Sequence, residues 1–188
     1  MPSASTAQPI SRTLKFNPAN DAIVTVAGGC FWGIERLYRK HYGDKIVDLK
    51  VGYCNGKVSE PTYEQVCKGD TQHTEAVQIS FDPAVVSYEE LYEFLFLIHD
   101  PTTLNQQGHN TGIQYRSAIF VNSEEQVAIA KSAIAKQQTK WFPNHKIVTS
   151  IEPIENFWDA EEYHQLYLEK NPNGKHCPTH FLRTEPLK

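Results

Sequence analysis

A cysteine between a predicted strand and a predicted helix is the first residue whose position suggests chemistry. Cys30 lies in the segment GGCFWG (28–33), after the β-branched run Ala22–Ala27 and before a helix predicted from Phe31 to about Tyr42. Unpaired N–H groups and the positive end of the helix dipole meet at such a junction, and together they lower the pKa of a thiol. We therefore predict a reactive thiolate at Cys30, the alternative being a small buried residue in a tight turn.

A carboxyl group in an apolar strand pattern is the second candidate. In the predicted strand Thr74–Phe81, Glu75 shares one face with Val77, Ile79 and Phe81. Burial disfavours the charged form of a carboxyl group and so raises its pKa, which suits a general acid. The alternative is a glutamate at a strand end that turns to solvent or pairs with an arginine.

Three aromatic side chains could form the walls of a substrate pocket. On a helical wheel Trp32 lies about a third of a turn away from the apolar stripe, next to the candidate nucleophile, which suggests the wall of an apolar pocket. Tyr63 and Tyr115 stand near predicted loops and strand starts, where a phenol could donate a hydrogen bond to a substrate oxygen. Each of the three could instead be a packing aromatic.

A second thiol lies in the C-terminal tail. Cys177 belongs to the segment 171–188, which has neither a helical nor a strand pattern. A thiol on a mobile segment can reach another thiol, as a resolving cysteine must, and the alternative is a spectator cysteine. Cys54 and Cys67 stand in or beside predicted regular structure, and we interpret both as packing thiols.

Other kinds of site are less well supported by the sequence. His176-Cys177-x-x-His180 could be part of a zinc site, but it lacks a fourth ligand, and we predict no metal. A thiol hydrolase would pair Cys30 with His164 or His99 as the base, although no hydrolase signature surrounds the cysteine. A noncatalytic redox or metal-binding module is the third alternative.

Composition excludes several classes of protein. The chain has 188 residues, a net charge of −4, and 40% hydrophobic and 21% charged residues, which is ordinary for one globular domain. Without a basic cluster or a long apolar stretch, a role on nucleic acids or in membranes has no support. No apolar signal segment follows Met1, so we expect a cytoplasmic protein with reduced thiols, acting as a monomer.

The predicted elements alternate between strands and helices in one α+β domain. Residues 1–20 are predicted to be an extension with a loose, Ser-rich beginning, and residues 21–188 a single catalytic domain that includes the tail 171–188. We expect a two-layer sandwich with a mixed, mostly antiparallel sheet, flanking helices and a ferredoxin-like core. The predicted strands are 22–27, 46–53, 74–81, 114–121 and 146–152, and the predicted helices are 31–42, 88–99, 124–139 and one opening at Asp159-x-x-Glu162. Residues 99–113 are predicted to be a long polar loop without regular structure, which is either functional or disordered.

Four segments together resemble a known family. These are GGCFWG, GDTQHTEAV (69–77), HDPTT with QG and GIQYRS (99–117), and DAEEYHQLYL with NPNG (159–174). Over roughly residues 22–183 they resemble the A-type peptide methionine sulfoxide reductases, and the tail CPTHFLR is similar to that of fungal members. The resemblance implies reduction of methionine (S)-sulfoxide, free or in peptides and proteins, without a metal or organic cofactor and with thioredoxin as the reductant.

The resemblance also implies roles for individual residues. Cys30 matches the nucleophile, Glu75 the acid beside the sulfoxide oxygen, and Cys177 the resolving cysteine, so that a Cys30–Cys177 disulfide would form. The remaining positions match substrate-binding residues: Phe31 and Trp32 around the S-methyl group, and Tyr63 and Tyr115 on the sulfoxide oxygen. Asn110 stands where the family usually has Asp, which keeps a hydrogen-bonding side chain but loses the charge.

Overall fold

The computed structural model describes residues 9–188, with eight strands and five helices in that part of the chain. The strands are β1 (Ala22–Gly28), β2 (Asp48–Cys54), β3 (Thr74–Phe81), β4 (Gln106–Gln107), β5 (Asn110–Thr111), β6 (Ser117–Val121), β7 (Ser150–Pro153) and β8 (Phe157–Asp159). The helices are α1 (Phe31–Tyr42), α2 (Tyr63–Cys67), α3 (Tyr88–Leu97), α4 (Glu124–Lys140) and α5 (Tyr167–Lys170). Two 3-10 turns, Ile113–Tyr115 and Glu162–His164, connect some of them.

Six strands form one mixed sheet in the order β7-β6-β1-β3-β2-β8. All neighbouring pairs are antiparallel except β6 and β7. The central four strands with α1 and α3 follow the order β-α-β-β-α-β, which is the ferredoxin-like pattern. The predicted α+β class with a mainly antiparallel sheet and flanking helices is therefore confirmed.

The main core lies between one face of the sheet and the helices. Val77, Ile79 and Phe81 of β3 pack there against apolar residues of α1, α3 and α4. Ala76 faces the other way into a smaller cluster with Cys54 and Phe157. The alternation predicted for β3 is thus present, although both faces of the strand are buried.

The second face of the sheet is partly covered by the start of the described chain. Leu14 is buried, and the Ser11 backbone N–H donates to the Gln78 side chain at 2.8 Å. The Gln78 amide donates in turn to the Pro9 carbonyl at 3.1 Å. The prediction of a loose beginning is therefore wrong for residues 9–12, because sheet side chains bind their backbone. Residues 1–8, which the same prediction covers, lie outside the part of the chain that the structure describes.

The main differences from the predicted elements lie in the last third of the chain. Asp159 does not open a helix: it ends β8, where it pairs with Gly52 of β2. The Gln165 side chain then bonds both backbone groups of Val51, accepting from its N–H at 3.0 Å and donating to its carbonyl at 2.9 Å. Because these contacts replace helical hydrogen bonds, only the short α5 forms after them.

Other predicted boundaries also shift, as for the last predicted strand, 146–152, which begins at Ser150. The strand predicted from Gln114 begins at Ser117, because Ile113–Tyr115 forms a 3-10 turn. The predicted loop 99–113 contains the hairpin β4–β5, which the buried Gln107 anchors through both backbone groups of Asp100. In the part of the chain that the structure describes, no helix is long and apolar enough to cross a membrane.

Candidate active site

The catalytic candidate Cys30 lies where β1 ends and α1 begins. Gly29 has a φ of +92°, and a Cβ there would come within 2.6 Å of the Gln107 side chain. Only glycine therefore lets the hairpin β4–β5 pack so closely against the junction. Cys30 itself occupies the N-cap position of α1 and is partly exposed. The junction predicted from the sequence is confirmed, with the thiol at the helix N-terminus.

Glu75 is buried directly beside this junction. Its side chain is 1% exposed, and Oε1 accepts the backbone N–H of Phe31, the residue after Cys30, at 3.2 Å. Oε2 has no hydrogen-bond partner among the described residues. Burial raises the pKa of Glu75 to about 8, against the smaller opposing effect of the Phe31 N–H. At neutral pH Glu75 is therefore a protonated acid, as its position in the apolar strand pattern predicted.

The predicted net shift of the Cys30 pKa is wrong in sign. Burial raises the pKa of Cys30 well above its ordinary value, and the nearby Glu75 carboxyl raises it further. The N–H groups of Trp32 and Gly33 lower it, as expected at a helix N-terminus, but they do not outweigh burial. In the free protein the thiol and the carboxyl group are thus both neutral at pH 7.

A cavity of about 580 Å³ opens above the Cys30 thiol. Six of the predicted site residues line it: Cys30, Trp32, Tyr63, Asn110, Tyr115 and Cys177. Glu75 and Phe31 are not lining residues, because both are almost completely buried, each 1% exposed. The structure therefore brings six candidates to one cavity and places the other two behind its wall.

Tyr63 and Tyr115 both lie beside the thiol of Cys67, which the sequence did not predict to be near the site. Cys67, at the end of α2, is exposed, so the prediction that it packs in the interior is wrong, whereas Cys54 is buried as predicted. The hydroxyl groups of Tyr63 and Tyr115 both interact with the Cys67 thiol. Burial raises the pKa of both tyrosines, and the nearby Glu75 carboxyl contributes, so both phenols stay protonated donors.

The wall formed by Trp32 is held by the segment 159–167. The indole ring of Trp32 stacks on Tyr167 at 3.7 Å between centroids with an interplanar angle of 9°. Its Nε1–H donates to Nδ1 of the buried His164 at 2.9 Å. Phe31 lies behind this wall, with its ring 5.3 Å from His164. Trp32 is therefore a fixed side chain rather than a free surface aromatic.

The same segment also positions Tyr63. Glu161 accepts the Tyr63 backbone N–H at 3.0 Å and the Tyr53 hydroxyl at 2.7 Å. Sequence reasoning missed Glu161 and did not assign this positioning role to His164. The motif DAEEYHQLY contains both residues, but a helix was predicted there, so their contacts with Tyr63 and Trp32 were not predicted.

The C-terminal tail brings Cys177 to the cavity without a disulfide. Its thiol lies 3.6 Å from the Gln107 carbonyl and 3.1 Å from the Thr179 hydroxyl. Cys177 and Cys30 line the same cavity, and Cys177 adds to the raised pKa of Cys30. All four cysteines are free. Thus the thiol predicted to resolve an oxidised Cys30 lies in the same cavity.

The alternative sites find no support in this geometry. His99 is bonded to the Leu95 carbonyl and the Ser117 hydroxyl, and His164 to Trp32, so neither forms a hydrogen bond with Cys30 that could make it a base. Over residues 9–188 no group of three His, Cys, Asp or Glu side chains is arranged to hold a metal ion. His176, for example, contacts Arg36.

A cysteine, two phenols and a second free thiol share one cavity, and a protonated carboxyl group lies behind its wall. These are the groups that a thiol-dependent oxidoreductase needs. Similarity to known proteins identifies the family of oxidoreductases. Residues 22–186 match the family model described as peptide methionine sulfoxide reductase. The peptide methionine sulfoxide reductase of Saccharomyces cerevisiae is 51% identical over 182 residues, covering 93% of this chain and 97% of the relative.

Solved structures agree with the sequence matches. The reduced form of Mxr1 from Saccharomyces cerevisiae has a TM-score of 0.89 at 51% identity, covering 93% of this chain and 98% of that one. A second structure, Mxr1 in complex with Trx2, has a TM-score of 0.67 at 40% identity, covering 93% and 98%. The chain belongs to the peptide methionine sulfoxide reductases, a family of enzymes, as its motifs indicated.

Proposed function

We propose that this enzyme reduces methionine (S)-sulfoxide, free and in peptides and proteins, by direct attack of Cys30 on sulfur. The observation that carries the proposal is the contact between Glu75 and the Phe31 N–H, which places a neutral acid beside the thiol. A sulfoxide is a poor electrophile because its oxygen leaves badly. Protonation of that oxygen during attack removes this difficulty, and Glu75 is the group that can supply the proton.

The first step consumes the sulfoxide and oxidises Cys30. The sulfur of Cys30 bonds to the substrate sulfur while Glu75 protonates the oxygen, and the thiol proton passes to the Glu75 carboxylate. Tyr63 and Tyr115 donate hydrogen bonds to the same oxygen, which frees them from Cys67. Because Glu75 and Cys30 each disfavour the other's charge, an exchange of protons between them avoids two adjacent anions. The protonated oxygen then moves to the Cys30 sulfur while its bond to the substrate sulfur and the new S–S bond both break, so that methionine leaves and Cys30 becomes a sulfenic acid.

Trp32 and Asn110 bind the substrate rather than react. The fixed indole supplies an apolar wall for the S-methyl group, and Phe31 supports that wall from behind. Asn110 lines the cavity, where its amide can hydrogen-bond the substrate without adding charge. The reaction as proposed uses only side chains of this chain and needs no metal or organic cofactor.

The second step restores the thiols. The Cys177 thiol attacks the sulfenic sulfur, a Cys30–Cys177 disulfide forms, and water leaves. An external dithiol then reduces the disulfide by exchange. We propose thioredoxin for this role, supported by the solved relative in complex with Trx2. We also propose a monomer that repairs oxidised proteins in the cytoplasm, where reductants keep thiols free. The proposed catalytic domain is 21–188, including the tail.

The decisive experiment maps the thiols after one turnover. With one equivalent of a methionine sulfoxide peptide, mass spectrometry should find Cys30 joined to Cys177, and titration should show that two of the four thiols have disappeared. The S epimer alone should be consumed. Four remaining thiols after excess substrate would contradict the proposal, and an acyl-enzyme burst on activated esters would favour a hydrolase.

The variant Cys177→Ser separates the two steps. It should release one equivalent of methionine and then stall with thioredoxin as reductant. The matched control is Cys67→Ser, which removes the other thiol near the site and should continue to cycle. If Cys177→Ser cycles at the full rate while Cys67→Ser stalls, the resolving role belongs to Cys67.

A further inference from the structure

The tail contains a partly buried histidine, His180, that the proposed chemistry does not use. Nε2 of His180 lies 2.7 Å from the backbone carbonyl of Gly28, two residues before Cys30. Because a carbonyl only accepts hydrogen bonds, Nε2 is assigned as the protonated nitrogen and Nδ1 as an acceptor. Nδ1 is buried and has no partner among the described residues. Burial lowers the pKa of His180, so the ring is neutral at pH 7.

The imidazole ring fills a space that glycines leave open around the nucleophile. A Cβ built on Gly33, in the first turn of α1, would lie 2.3 Å from Nδ1 and 2.8 Å from Cγ of His180. A Cβ on Gly29 would lie 3.4 Å from Nε2. Any side chain at Gly33 would therefore expel the ring. We call this space, bounded by Gly28, Gly29 and Gly33, the glycine seat.

The ring is linked to the resolving thiol by a closed turn. The His180 backbone N–H donates to the Cys177 carbonyl at 3.0 Å, so that residues 177–180 form one turn with Pro178 inside it. Pro178 restricts the backbone of that turn. On its other side the Cys177 sulfur lies 3.6 Å from the Gln107 carbonyl, and a Cβ on Gly108 would come within 3.1 Å of it. A ring held in the glycine seat therefore also holds the sulfur.

The tail is also attached to the rest of the domain through Arg183, so His180 is not needed for attachment alone. The Arg183 backbone N–H donates to the Leu97 carbonyl at 2.7 Å, and its guanidinium group contacts the His99 carbonyl and packs over Phe142. If His180 were removed, Arg183 would still tether the tail, only six residues from Cys177. The loss would be one of orientation, not of attachment.

We propose that His180 is a positioning residue for the resolving step: seated among Gly28, Gly29 and Gly33, it aims the Cys177 sulfur at oxidised Cys30. This inference rests on the function proposed above. In the step concerned, the Cys177 sulfur bonds to the sulfenic sulfur of Cys30, the S–O bond breaks, and the hydroxyl leaves with the thiol proton as water. A tethered but unaimed thiol reacts at a lower effective concentration, so disulfide closure should slow by roughly tenfold or more without His180.

The test measures methionine release and disulfide closure separately. In a rapid-quench single turnover with a methionine sulfoxide peptide, His180→Ala should release methionine within about twofold of the wild-type rate. Its disulfide should close about tenfold more slowly, and dimedone should trap more sulfenic acid on Cys30. His180→Gln should restore closure, because its amide N–H can reach the Gly28 carbonyl. Phe181→Ala, an exposed neighbour in the tail, is the matched control and should behave as wild type.

The reciprocal variant does not alter the histidine. Gly33→Ala places a methyl group in the seat and favours the helix, so it should slow closure to the same extent without loss of Tm. Unchanged closure in both His180→Ala and Gly33→Ala would overturn the proposal. So would a parallel loss of methionine release and closure that His180→Gln does not rescue, because a merely structural role predicts it. If wild type releases no methionine, it is the proposed function that fails, not the role of His180.

Discussion

The substitution Glu75→Gln should make the protein more stable and less active, and the gain in stability should depend on pH. The pKa of Glu75 is about 8 in the folded protein against an ordinary value of 4.5. Between these two values the unfolded chain releases the proton while the folded protein keeps it. The free energy of unfolding therefore falls as the pH rises through this window, and the loss is complete above pH 8.

The magnitude follows from the width of the window. A pH of 7 lies about 2.5 pH units above the ordinary pKa of 4.5, and at 1.36 kcal/mol per unit this lowers the free energy of unfolding by about 3.4 kcal/mol. Glutamine has no such proton to hold, and its amide oxygen can still accept the Phe31 N–H. The stability of Glu75→Gln relative to wild type should therefore rise by about 3 kcal/mol between pH 4.5 and pH 7.

Urea unfolding at several pH values between 4.5 and 8 measures this difference directly. The matched control is Glu64→Gln, which removes an exposed carboxylate on α2. The same Glu75→Gln preparation should lose about 10²- to 10⁴-fold in kcat, because an amide cannot transfer a proton. A stability difference that stays constant across the range would refute the neutral, buried state of Glu75. An unchanged kcat would assign the proton to a tyrosine or to water.

Two further predictions concern the walls of the cavity. His164→Leu should leave the Trp32 indole N–H unpaired, which should lower the free energy of unfolding by about 1–3 kcal/mol and kcat/KM for peptide substrates about tenfold. His164→Asn should recover most of both losses, because its Oδ1 can accept the indole N–H in place of Nδ1. A Leu variant with wild-type kcat/KM would show that the indole needs no such anchor. Asn110→Asp should keep kcat/KM within about tenfold of wild type. The fall in activity at alkaline pH, expected near pH 8 for wild type, should move to higher pH, because a second carboxylate disfavours the ionised form of Glu75. A pH profile identical to wild type would contradict that electrostatic reasoning.

The local features of the site could be predicted because short-range rules govern them. The position of Cys30 at the start of α1 follows from a β-branched run, two glycines and a helical pattern. The burial of Glu75 follows from the alternation along β3. The starts of α3 and α4 follow from the serines that precede them, because the side chains of Ser87 and Ser123 accept backbone N–H groups three residues later.

Features that depend on contacts between distant segments could not be predicted in this way. Asp159 carries a good capping pattern, yet β8 and the Gln165 contacts with β2 override it, because pairing with an existing strand satisfies more backbone groups. The exposure of Cys67 likewise depends on where Tyr63 and Tyr115 meet, and these residues are far apart in the sequence.

The amino-acid sequence by itself determined the chemistry available to this protein: a thiol at a helix start, a carboxyl group in an apolar strand, and a second thiol in an irregular tail. Tertiary structure alone decided how those groups are tuned. Desolvation reverses the pKa shift expected for Cys30, and the seat for His180 exists only after residues 28–33 meet the tail. The physical reason is that side-chain type and periodicity are local properties, whereas burial and electrostatic environment come from every segment that packs around a group.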